Sequence, residues 1–108
     1  MKSAETFRPT RENLPHAVDV ALERARVYRT ELPQTSSSIP FADLAIETLE
    51  QIRAEIASGP PPIGQRTKTR FGYTLVHEEP EFDQGLASLI SAIEDIYQRW
   101  YLWKPRAS

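Results

Sequence analysis

The sequence predicts a mostly α-helical protein: a three-helix antiparallel bundle with a short β-hairpin or extended arm between helices 2 and 3. Three observations predict it. Apolar residues recur at alternating spacings of three and four in three separate stretches, the signature of amphipathic helices. Proline or glycine punctuates the ends of those stretches. Between the second and third, the pattern switches to period two.

The first helix is expected at about residues 13–32. Asn13 sits at a capping position, with Pro15 in the first turn where a missing N–H costs nothing. Leu14, Val18, Ala21, Ala25, Tyr28 and Leu32 then form one face, and Pro33 ends it. The polar run Gln34–Ser38 reads as a loop. The second helix, about 40–58, carries Phe41, Ala45, Leu49, Ile52 and Ile56 on one face, flanked by Leu44 and Ile46. Gly59 suits the left-handed position after a helix, and Pro60–Pro62 forbid its continuation.

The third helix, about 80–103, has Pro80 at its start and Glu81 and Asp83 opposing the positive end of the helix dipole. Phe82, Leu86, Leu89, Ile93, Ile96, Trp100 and Trp103 alternate at spacings of four and three. Ile90, Tyr97 and Tyr101 widen that stripe to roughly 160° at ~100° per residue, more than an ordinary surface helix shows. Lys104–Pro105 closes it.

Residues 63–79 read as extended. From Arg66 to His77, Thr67, Thr69, Phe71, Tyr73 and Leu75 alternate with Arg66, Lys68, Arg70, Gly72, Thr74 and Val76. Gly72–Tyr73 suits the centre of a tight hairpin turn, and one irregular strand across the helices is the competing version. A lone hairpin is marginal in water, so it must pack on the helices. Residues 1–12 read as a flexible arm and 13–104 as one helical domain.

The bulk numbers narrow the function. The chain has 108 residues, 40% of them hydrophobic and 26% charged, which fits one ordinary globular domain. Thirteen basic against fifteen acidic side chains leave a net charge of −2, so the chain as a whole has no electrostatic grip on nucleic acid or anionic membrane. With no cysteine there is neither a disulfide nor a thiolate site, consistent with the cytoplasm. No stretch approaches the ~20 apolar residues of a spanning helix, so no membrane role is expected.

No catalytic, cofactor-binding or metal-binding residue stands out. His16, Asp19 and Glu23 fall on neighbouring turns, but at ~100° per residue they lie opposite the first helix's apolar stripe and read as a solvated face. His77–Glu78–Glu79 has no nucleophile or oxyanion donor in view and reads as a turn leading into a helix. The four glycines form no phosphate loop or dinucleotide fingerprint.

Two surfaces remain. Arg66, Lys68 and Arg70 on one side of a strand, beside Phe71 and Tyr73, have the composition of a nucleic-acid groove. Protection of an edge strand by charge explains them as well. Tyr97, Tyr101 and Trp103, rimmed by Arg99 and Lys104, have the composition of a protein-binding hot spot, and closing one end of the bundle is the competing use. Val20 and Val27, seven residues apart on the far side of the first helix, suggest a homodimer seam. The expectation is a cytoplasmic, non-catalytic interaction or regulatory protein that needs no cofactor and meets a protein partner or a second copy. Nucleic-acid binding through the basic arm is the alternative, and an enzyme with a site between subunits stands behind both.

Overall fold

The computed structural model describes residues 8–62, 65–66, 71–99 and 101. They form four helices: α1 (Leu14–Glu31), α2 (Ile39–Ala57), α3 (Phe71–Glu78) and α4 (Gln84–Arg99). Among the described residues there is no strand, and no helix is long and apolar enough to cross a membrane.

The ends of α1 and α2 use backbone more than side chains. Asn13 occupies the position before α1, and its carbonyl accepts from Ala17 N–H at 2.8 Å. Its side chain turns backwards instead of capping: Oδ1 accepts from Thr10 N–H at 2.7 Å, while Thr10 Oγ1 accepts from Asn13 N–H at 3.2 Å. Thr10–Asn13 thus form a hydrogen-bonded turn; residues 1–7 of the expected arm lie outside the described residues. Gly59, at φ 93°, takes the left-handed position that ends α2.

α1 and α2 pack along each other as an antiparallel hairpin. Leu14, Ala17, Val18, Ala21, Leu22 and Ala25 are buried from α1, and Ala42, Ala45, Leu49 and Ile52 from α2. The small alanines on both faces allow close approach. α4 packs on α1, burying Leu86, Ala87, Leu89, Ile90, Ile93 and Tyr97. Close backbone packing also joins α3 to α4, whereas α2 and α4 share little of it. The expected three-helix bundle gains a fourth, short helix: α1 covers one side of α4, and α3 covers another.

A β-hairpin over residues 66–77 is likewise corrected. Gly72 and Tyr73, its expected turn, lie inside α3, and residues 67–70 lie outside the described residues. A short apolar run fits both periods, since Phe71 and Leu75 are four apart as well as alternate. Tertiary burial decides between them. α4 carries more apolar arc than α1 can shield, and a helix laid on it buries Leu75 completely while satisfying its own backbone. A lone hairpin would leave two strand edges unpaired.

The start of the last helix shifts with it. Pro80–Glu81–Phe82 form a turn, with Phe82 N–H donating to Glu79 O at 3.0 Å. Asp83 becomes the N-cap, its Oδ1 accepting from Leu86 N–H at 3.1 Å. The turn is fastened to α1, because Tyr28 Oη accepts from Asp83 N–H at 3.2 Å and the Tyr28 and Phe82 rings meet edge to face at 4.9 Å. Gln84 Nε2 donates back to the carbonyls of Leu75, Glu79 and Phe82. Those contacts hold the end of α3 against the start of α4.

Candidate functional site

The residues singled out by sequence fall into different settings. At the C-terminal end of α4, Tyr97 is fully buried and Tyr101 nearly so, their ring centroids 6.2 Å apart. Tyr101 N–H donates to Ile96 O at 2.8 Å, closing the last turn. The Tyr97 hydroxyl donates to Glu55 Oε1 of α2 at 2.6 Å. Burial pushes the Tyr97 phenol above the ordinary tyrosine range, and the Glu55 carboxylate that accepts its proton adds to the rise; Arg66 acts in the opposite sense.

Arg66 completes this end. It is expected on a charged strand facing water, yet only 5% of it is exposed. Its Nε donates to Pro61 O at 2.7 Å, and its Nη1 donates to Tyr97 O at 2.7 Å and Tyr101 O at 2.8 Å. The guanidinium carbon lies 4.9 Å from the Tyr97 ring centroid and 5.9 Å from that of Tyr101. Burying the charge costs several kcal/mol. Hydrogen bonds from a charged donor contribute about 1.5–3 kcal/mol each. Cation–π attraction adds about 2 kcal/mol when desolvated, and the negative end of the α4 dipole favours a cation here. These gains offset the cost, and Arg66 caps carbonyls that α4 cannot satisfy internally.

This arrangement changes both expected surfaces. Arg66 belongs to the core and is withdrawn from the basic patch. Phe71 and Tyr73 begin α3, and Lys68 and Arg70 lie outside the described residues. Tyr97 and Tyr101 are spent on the chain's own core and present little to a partner. Arg99 is exposed and pairs with Asp95 at 3.2 Å; Trp100, Trp103 and Lys104 lie outside the described residues. Sequence reasoning missed the pairing of Arg66 with α4, because its acceptors lie 31 and 35 positions away and no local spacing announces them. The tyrosines four apart were the available hint, since one cation can serve two neighbouring rings.

The other candidates sit on the surface. Asp19 turns toward α2 and pairs with Arg53 at 3.0 Å, while His16 and Glu23 are exposed. Two further ion pairs, Arg26–Glu50 at 2.9 Å and Arg29–Asp43 at 2.7 Å, continue across the α1–α2 seam. His77 and Glu78 end α3 in water. Among the described residues, no three His, Asp or Glu side chains gather as metal ligands. An open groove of about 210 Å³ is lined by Pro15, Val18, Asp19, Arg53, Ile56 and Ala57. It is smaller than the ~300–1,000 Å³ of typical ligand pockets.

On the outside, Val27 of α1 and Leu44 of α2 are each 45% exposed, whereas Val20 is partly buried against the core. Phe41, Leu44, Thr48 and Glu55 share one flank of α2, at offsets of three, seven and fourteen from Phe41. At its far end that flank reaches α4 through Glu55. At its near end Leu44 stands open. Searches of protein-family models, curated proteins and solved structures find no match to this chain.

Proposed function

We propose that this chain is a small, non-catalytic protein-interaction or regulatory protein of the adaptor, inhibitor or immunity type, working in the cytoplasm on a protein partner or a second copy. The observation that supports this reading best is the near end of the α2 flank. Leu44 is 45% exposed beside the half-buried Phe41, one turn away. The α1 seam is finished with ion pairs, but this flank ends in apolar side chains, and among the described residues Leu44 keeps nearly half of its surface exposed. Isolated exposed apolar residues are ordinary; an open leucine backed by an aromatic ring is the smallest unit of a docking ridge. Arg99 and the segment through Trp103 and Lys104 are the second part of the proposed surface.

The test pairs two measurements on the parent and on Leu44→Ser: sedimentation across concentration, and affinity capture from the source cell. We expect the parent to self-associate or to capture one protein reproducibly. Leu44→Ser should weaken that association by at least about 2 kcal/mol, roughly 30-fold, as hot-spot truncations do. Its melting temperature should stay within a degree or two, because the side chain is half in water. A parent that stays monomeric and captures nothing overturns the reading. Unchanged association in Leu44→Ser moves the contact elsewhere on the surface.

A further inference from the structure

We propose that the C-terminal end of α4 is a guanidinium-recognition socket, filled in cis by Arg66. The acceptor set matches the planar fork of an arginine and not the point charge of a lysine. Nε meets Pro61 O on one edge, while Nη1 meets Tyr97 O and Tyr101 O on another. The guanidinium carbon lies within cation–π reach of both tyrosine rings. An ammonium on a flexible stem cannot address both edges and both rings together.

The socket is also built largely without Arg66. Its Tyr97 wall is fixed by the buried position of Tyr97 in α4 and by the Tyr97–Glu55 hydrogen bond. Its Tyr101 wall is fixed by the Tyr101–Ile96 backbone bond that closes the last turn. Removing the Arg66 side chain therefore leaves a preformed site with buried, unsatisfied carbonyls. An alkylguanidinium from solution can fill that site.

Chemical rescue tests this. Arg66→Ala should lower the melting temperature by on the order of 10 °C, given how steeply a chain of this size responds to a few lost interactions. Millimolar methylguanidinium, far below denaturing concentrations, should recover part of that loss in Arg66→Ala by binding the folded state. It should leave the parent unmoved, and equal concentrations of methylammonium chloride or sodium chloride should do nothing for the variant. Rescue by methylammonium as good as by methylguanidinium, or no rescue by either, overturns the proposal. If Arg66→Ala does not fold, the parent itself decides by NMR. An Arg66 Nε–H that exchanges with solvent far more slowly than those of Arg26 and Arg29 supports the socket, and equal exchange rates overturn it.

Discussion

Along the α1–α2 seam, six charged side chains stand in water as three ion pairs; at the end of α4, a single arginine is taken almost entirely out of water. The paired side chains keep between 37% and 56% of their surface exposed. In high dielectric, and after the entropy of holding two long side chains, such pairs contribute about 0–1 kcal/mol each. Each links one turn of α1 to the antiparallel turn of α2. Arg66 works in low dielectric against carbonyl dipoles and ring faces, where each contact is stronger and each loss leaves a buried acceptor without a donor. Position, not the number of charges, decides which region holds the fold.

Mutation can break that comparison. Arg66→Ala should destabilise the protein by about 3 kcal/mol by chemical denaturation, because buried carbonyls lose their donor. The loss should be nearly the same at low and high salt, since buried interactions are poorly screened. A cost below half a kilocalorie would place Arg66 among the surface charges.

Tyr97→Phe is the next step down, at about 1.5–2 kcal/mol near neutral pH, the low end of the range for a lost hydrogen bond to a carboxylate. The pH dependence sharpens it. The folded phenol holds its proton above the ordinary tyrosine value, so its contribution is complete below about pH 10 and is lost as pH climbs from there toward the folded value. The stability gap between parent and Tyr97→Phe should therefore narrow above about pH 10. A gap that stays constant would mean the hydroxyl is not shielded.

The smallest effect belongs to the seam. A double-mutant cycle on Arg29 and Asp43 should return a coupling of about 0.2–1 kcal/mol, shrinking in 1 M salt. A coupling above 2 kcal/mol would show that the seam is energetically equal to the α4 end, and the contrast between them would fall.

The three long helices were legible because their signals are local. The spacing of Leu14, Val18, Ala21 and Ala25, or of Leu86, Ile90, Ile93 and Tyr97, repeats every turn, and Pro33, Gly59 and Pro60 break the chain where those repeats stop. The unusual width of the α4 stripe was legible too, and it announced a need for extra cover. What supplies the cover was not. Phe71–Glu78 carries strand-favouring residues in an alternating order, and its helical form follows from the apolar surface that α4 offers it. The same holds for Arg66, whose charge and alternation point outward in sequence while two of its three acceptors lie more than thirty positions away. Local periodicity determined which segments could be amphipathic helices and where they had to end. Only the tertiary structure decided how the remaining segment folds and which charge is buried, because burial free energy depends on neighbours distant along the chain, and the modest propensities of a short segment yield to it.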